Sequence, residues 1–99
     1  DMKNREDFLK KAEELINGPR ADDYGPALLN HERIATIWNV LLRAKLLKQI
    51  TPTEVTAMMI GLKLARLAED MHKDDSWVDI IGYAALGGEI SNDEQETSV

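Results

Sequence analysis

The chain of 99 residues contains no cysteine, only 3 prolines, and aromatic residues at just 5% of its positions. Without cysteine it can form neither a disulfide framework nor a thiolate metal site, which is typical of proteins in a reducing cytoplasm. No apolar run approaches the roughly 20 residues needed to span a bilayer, and the N-terminal residues show no signal-peptide pattern. The sequence therefore predicts a cytoplasmic protein with no membrane partner.

Basic residues are absent from positions 89–99, which carry four of the chain's 18 acids. The other positions hold 14 acids against 12 bases, so most of the net charge of −6 comes from the C-terminal end. A near-neutral body that ends in an acidic segment is a poor binder of extended nucleic acid, although a small anion can still bind in a locally positive pocket. We expect a single domain at 2–88, followed by an acidic disordered tail at 89–99.

Helical signals divide the chain into four segments and leave no convincing strand. Apolar residues spaced three and four apart, together with capping residues, predict helices at about 5–17, 26–47, 52–72 and 76–87. The clearest boundary is Thr51-Pro52-Thr53-Glu54, where the threonine caps, the proline occupies the first turn, and the glutamate reaches back. The predicted fold class is an all-α bundle of four helices.

The third predicted helix is apolar on two sides. Val55, Met58 and Leu62 share one side, whereas Ile60 and Leu64 occupy another. A helix of this kind is either central in its domain or shared with a second subunit. Because so short a chain buries only a modest core, we expect a homo-oligomer.

Charged residues on apolar helix faces suggest a site. Asp79 lies within an almost wholly apolar fourth helix, and Arg66 lies within the apolar side of the third. Burying either charge without a partner would cost several kcal/mol, so we expect the two to pair or to meet a ligand. A purely structural ion pair that fixes helix packing explains the pattern equally well.

Further polar and aromatic residues accompany this pair on the inner helix faces and in the loop 20–24. A pocket with a few convergent polar groups is the usual form of a small-molecule site, although the loop can equally be an ordinary connection. His31 and His72 are too isolated to indicate a metal. The candidate ligand-binding residues are Arg20, Tyr24, Asn30, Arg33, Trp38, Lys63, Arg66, Asp75, Asp79 and Tyr83.

Four motifs carry a resemblance: Arg20-x3-Tyr24-Gly25, Asn30-x2-Arg33-Ile34-Ala35-x2-Trp38, Lys63-x2-Arg66, and Asp75-Ser76-Trp77-x-Asp79-x2-Gly82-Tyr83-Ala84-Ala85-Leu86. Together they resemble a family of small all-helical proteins, common in bacteriophages and prophages, whose role is uncharacterised. The similarity extends over about residues 18 to 88. It implies a phage protein that acts in the cytoplasm of the infected bacterium.

The helical layout is more distantly similar to that of MazG-like nucleoside triphosphate pyrophosphohydrolases. Those all-α oligomers hold Mg²⁺ with a Glu-x-x-Glu pair on one helix and a Glu-x-x-Asp pair on the next. The corresponding pairs here are Lys63-x-x-Arg66 and Ser76-x-x-Asp79, so Asp79 alone matches. Cations in place of two acids remove metal ligands and favour direct binding of phosphate.

Three hypotheses of function follow. The first is an oligomeric protein that binds a nucleotide-like anion without a cofactor, and it extends to sequestration of a nucleotide immune signal made by the host. The second is a divergent Mg²⁺-dependent pyrophosphohydrolase in which Asp75 and Asp79 hold the metal. The third is an inhibitor that binds a host protein through an apolar helix face or the acidic tail.

Overall fold

The computed structural model describes residues 2–19 and 26–97, and in these ranges it is helical with no strand. The helices are α1 (Arg5–Asn17), α2 (Ala27–Leu42), α3 (Pro52–Glu69) and α4 (Asp74–Thr97). They form one domain, in which α3 and α4 share the largest contact, α1 packs on α4, and α2 packs mainly on α3. The predicted all-α fold of four helices is confirmed. No helix in the described part of the chain is both long and apolar enough to cross a membrane.

Helix α1 has the predicted bounds because both of its ends are capped by local hydrogen bonds. The Asn4 side chain accepts from the Asp7 backbone N–H at 3.0 Å. The Asp7 carboxylate accepts in return from the backbone N–H groups of Lys3, at 2.9 Å, and Asn4, at 3.3 Å. At the other end the Gly18 N–H donates to the Glu14 carbonyl at 2.8 Å. These bonds satisfy backbone groups that a helix end otherwise leaves unpaired.

Helix α2 ends at Leu42, five residues earlier than predicted. The side chain of Asn39 forms two bonds with the backbone of Ile50, donating to its carbonyl at 3.0 Å and accepting from its N–H at 2.6 Å. This pair of bonds folds the connecting segment back along the helix. Asn39 is therefore part-buried and structural.

Helix α3 begins as predicted and ends three residues early. Thr51 and Glu54 form the expected capping box, with N–H to oxygen distances of 3.1 and 2.9 Å. After Glu69, the Asp70 side chain accepts from the His72 N–H at 3.0 Å. A short side-chain bond of this kind competes with continued helix, so His72 lies in a turn instead of a last helical turn.

Helix α4 continues through the two glycines at which the sequence predicted it to stop. It extends to Thr97, so the disordered tail expected from residue 89 is wrong for 89–97. Gly87 allows a close approach between helices, because a Cβ there would lie 2.8 Å from the Thr56 hydroxyl oxygen. Gly88 has nothing within 4 Å of such a Cβ, and no contact explains it.

The acidic end of α4 is anchored on the first turn of α3. The Glu94 carboxylate accepts from the Thr53 N–H at 2.9 Å and from the Thr53 hydroxyl at 2.6 Å. An anion at a helix N-terminus is favoured both by the unpaired N–H groups and by the helix dipole. The acids of this segment therefore contribute to folding, which composition alone did not indicate.

The buried core is small for a chain of this length. Several large apolar residues are exposed, among them Ile37, Leu41, Met58 and Leu62. The buried apolar residues within the described ranges are Ala12, Ala35, Val55, Leu67, Val78 and Ile90.

Candidate ligand-binding cleft

An open cleft of about 720 Å³ lies between α1, α2 and α4, with Met59 of α3 among its lining residues. This volume falls within the roughly 300–1,000 Å³ of typical small-molecule sites. Its apolar lining comes from all four helices and includes Leu15, Ile16, Ile34, Trp38, Val78 and Leu86.

The cleft exists because α4 packs closely on α1 and α3 but has few contacts with α2. Gly82 brings α1 close, since a Cβ at this position would lie 3.2 Å from a methyl carbon of Ile16. Helix α2 is held on the other side by its packing on α3 and by the two Asn39–Ile50 bonds. The space that remains between α2 and the α1–α4 pair is the cleft.

Polar groups enter the cleft from three helices, of which α1 contributes Asn17. Helix α2 contributes Asn30 and His31, and helix α4 contributes Asp79 and Tyr83, which are one turn apart. His31 is buried, and its Nδ1 lies 2.8 Å from the Ala27 carbonyl oxygen. The cleft thus combines aromatic rings, two amides and a carboxylate with apolar walls.

Asp79 is paired with Lys63, and the expected pair with Arg66 is wrong. The Lys63 ammonium lies 3.0 Å from Asp79 Oδ2, and the two side chains are 16% and 31% exposed. Arg66 is exposed and forms no ion pair within the described ranges. At 100° per residue, Lys63 lies near the middle of the arc between the buried Val55 and Leu67, whereas Arg66 lies about 60° from Lys63, close to the Val55 edge of that arc.

Two more acids, Glu89 and Asp93, line the far end of the cleft. At 1.5 Å per residue they lie about 15 and 21 Å along α4 from Asp79. The cleft is therefore polarised. A lysine and its partner carboxylate stand at one end, and carboxylates stand at the other.

Of the candidate residues predicted from sequence, Asn30, Trp38, Asp79 and Tyr83 line the cleft. Lys63 adjoins it through the ion pair with Asp79. Three others are exposed and do not line it, namely Arg33, Arg66 and Asp75. Arg20 and Tyr24 lie outside the described residues.

Among the polar lining residues, the sequence interpretation missed Asn17, His31, Glu89 and Asp93. His31 shares the side of α2 that carries Ile34 and Trp38, so helical spacing was enough to place it. The two acids follow the Asp79 side of α4 once the helix is continued past residue 88. Within the described ranges no group of three or more His, Asp or Glu side chains is arranged to hold a metal ion.

Residues 7–91 match a protein family described as a domain of unknown function, DUF6378. The chain belongs to this family. It is 48% identical over 89 residues to the Gene 55 protein of Mycobacterium phage L5, a match that covers 90% of this chain and 55% of that protein. It is 34% identical over 79 residues to the Gene 55 protein of Mycobacterium phage D29, with 80% and 50% covered.

These matches confirm the predicted resemblance to a family of small all-helical phage proteins of unknown role. The chain spans about half the length of both Gene 55 proteins. Among solved structures there is no significant match.

Proposed function

We propose that the cleft binds a nucleotide-like small molecule. In this proposal the base packs against Trp38 and Tyr83, and its polar edge faces Asn30 and Asp79. The phosphate lies toward Lys63. The observation that carries the proposal is the cleft itself, about 720 Å³ in volume and lined by aromatic, amide and carboxylate groups among apolar residues.

The lining chemistry favours a planar heterocycle over a purely aliphatic ligand. Aromatic rings stack on bases with roughly 1–3 kcal/mol per base, whatever the base. The Asn30 amide offers both a donor and an acceptor, and the Asp79 carboxylate accepts from an exocyclic amine. The polar edge of a base needs hydrogen-bond partners when it is buried beside apolar walls, and Asn30 and Asp79 supply them. A purely aliphatic ligand would leave these two side chains unpaired.

One end of the cleft suits a phosphate group better than the other. Lys63 carries three N–H donors, and Asp79 occupies one direction at 3.0 Å, so a phosphate oxygen can share the ammonium. The Glu89 carboxylate repels phosphate from the opposite end. This polarity sets one orientation for a nucleotide and disfavours long polyphosphates that would reach the acids.

Binding without turnover fits this arrangement better than a MazG-like hydrolysis. A magnesium ion in phosphoryl chemistry needs carboxylate oxygens free to coordinate it. The Lys63 ammonium lies 3.0 Å from Asp79, the one position that matches the MazG-like ligand set, and its positive charge opposes a metal ion at this carboxylate. In a phage protein, tight binding alone would serve to sequester a nucleotide signal of the host, which is the biological role we propose.

The test is calorimetric titration with nucleoside mono-, di- and triphosphates and with cyclic nucleotides, each with and without Mg²⁺. Chromatography of the recovered ligand follows. We expect saturable binding of at least one nucleotide, recovered intact and independent of Mg²⁺. Mg²⁺-dependent conversion would support the hydrolase instead, and no binding by any member of the panel would contradict the proposal.

Two substitutions locate the site by a matched comparison. Asn30→Ala removes a lining amide and should weaken binding at least tenfold. Arg66→Ala removes a charge that the sequence placed in the site and the structure places outside the cleft, so binding should change less than twofold. The opposite ranking of the two variants would show that the ligand binds elsewhere.

A further inference from the structure

We infer that a second copy of this chain packs on the outer stripe of α2, formed by Ile37, Val40 and Leu41. These three side chains are 58%, 72% and 74% exposed. They fall within about 100° of one another on the helix, so they form one continuous apolar surface. This inference concerns assembly and does not depend on the proposed ligand.

The accessible surface of the chain is larger than that of an average folded monomer of its mass. It amounts to 7515 Å² for a mass of 11.1 kDa. Folded monomers of this mass expose about 5,700 Å², so roughly 1,800 Å² is in excess. The nine residues outside the described ranges account for no more than about half of this excess, because an unfolded chain exposes roughly 160 Å² per residue against roughly 58 Å² for an average residue of the folded monomer.

The remaining excess matches what one partner buries in a stable complex. About 900 Å² is left, and each partner in an interface of standard size buries about 800 Å². Met58 and Leu62 on α3 are further exposed apolar residues. The area left uncovered is therefore sufficient for a stable dimer.

The partner that best accounts for this uncovered surface is a second copy of the chain. The buried apolar core of the described ranges comprises six residues, two of which are alanine, so the chain hides little apolar surface by itself. A small buried core limits the stability of the single chain, and small domains commonly gain stability by self-association. An apolar stripe is also self-complementary about a twofold axis, since it needs no opposite charge on its partner.

The stripe and the cleft occupy different sides of α2. The centre of the stripe lies about 100° around the helix from the side that carries His31, Ile34 and Trp38. Self-association through the stripe therefore leaves Trp38 directed at the cleft. Assembly and ligand binding can be tested separately.

The experiment is sedimentation of the full chain without nucleotide, at concentrations from about 1 to 100 µM, where most stable dimers are formed. Wild type should sediment as a dimer or larger. Leu41→Glu should sediment at the single-chain mass, since it places a carboxylate within the stripe, at its most exposed residue. Leu9→Glu is the matched control, because Leu9 is 55% exposed on α1, and it should behave as wild type.

A single-chain mass for wild type over the whole range would overturn the inference, and so would an oligomer unchanged by Leu41→Glu. If circular dichroism shows that Leu41→Glu is unfolded, Leu41→Ala and Leu9→Ala take their places. Truncation at residue 41 should then raise the dissociation constant at least tenfold, while truncation at residue 9 leaves it unchanged. Equal effects of the two alanine variants would also overturn the inference.

Discussion

The ammonium of Lys63 lies 3.0 Å from the carboxylate of Asp79 and joins α3 to α4 at the edge of the cleft. Neither side chain is fully buried, so the pair is intermediate between a solvated ion pair and one within a dry core. The pair matters for folding because breaking it costs more free energy than forming it gains. Removing one partner leaves the other charge poorly solvated, even where the intact pair itself contributes little.

Lys63→Met should reduce the free energy of unfolding by about 1–3 kcal/mol, because it retains the aliphatic volume and strands the Asp79 carboxylate. Arg66→Met, three residues away on the exposed side of the same helix, should change it by less than about 0.5 kcal/mol. Urea denaturation measures both values. An equal loss in the two variants would show that Arg66 also interacts with Asp79.

Glu94→Ala should destabilise the fold by about 1–2 kcal/mol, the usual effect of losing a helix N-cap acceptor. Its carboxylate accepts both bonds from Thr53 that attach the end of α4 to α3. Hydrogen exchange should quicken at the Thr53 amide and in the last turns of α4. Glu96→Ala is the control, because Glu96 is an exposed acid two residues further along the same helix. Rapid exchange of the Thr53 amide in wild type would contradict the bond between Glu94 and Thr53.

The adjacent glycines of α4 should respond to alanine with opposite signs. Gly87→Ala places a methyl group 2.8 Å from the Thr56 hydroxyl oxygen and should cost about 1–3 kcal/mol through overpacking. Gly88→Ala meets nothing within 4 Å and should stabilise the helix by roughly 0.5–1 kcal/mol. Thermal unfolding of both variants settles the ranking, and destabilisation by Gly88→Ala would contradict the helix as described.

Acid should remove a contribution to stability made by Asp7. Backbone N–H groups of Lys3 and Asn4 donate to its carboxylate and hold the pKa of Asp7 below its ordinary value of 3.8. Because the folded-state pKa is the lower one, the ionised group stabilises the fold above about pH 4, and this is lost as pH falls through the folded pKa.

Asp7→Asn should therefore unfold at a lower temperature than wild type at about pH 6, and the gap should close near pH 2. Glu13→Gln, an exposed change in the middle of α1, should show no such convergence. Differential scanning calorimetry at both values of pH supplies the comparison. A gap that persists in acid would mean that the capping box acts without the charge.

Strong local signals predicted most of the helical framework. The Asn4–Asp7 and Thr51–Glu54 capping boxes fix helix starts within a few residues, so they could be read directly from the sequence. Tertiary contacts set the boundaries that were missed. Helix α2 ends where Asn39 binds a residue 11 positions away, and no local pattern contains that information.

The candidate site was only partly predictable for a related reason. Trp38, Asp79 and Tyr83 follow from helical spacing, since side chains on one face of a helix stay together wherever that helix packs. The partner of Asp79 depended on how α3 is rotated about its own axis. Lys63 and Arg66 lie about 60° apart around α3, so an error of this size in the inferred buried side of the helix gave Arg66 as the partner in place of Lys63.

The pair Gly87-Gly88 illustrates an ambiguity that sequence could not resolve. Glycine is favoured just past helix ends, and it is also favoured where two helices approach closely. The contact with Thr56 shows that Gly87 has the second role. The acids beyond it then belong to a helix instead of a tail.

Nucleotide binding in the cleft is tested most directly by the two tryptophan indole resonances in a ¹H–¹⁵N spectrum of the full chain. Trp38 lines the cleft and Trp77 does not. The Trp77 indole instead donates to the carbonyl of Met71, in the turn before α4, at 3.0 Å. On titration with the nucleotide panel, the Trp38 resonance should shift saturably and that of Trp77 should stay in place. If no nucleotide moves the Trp38 resonance, or if both resonances shift alike, the cleft is not a nucleotide site.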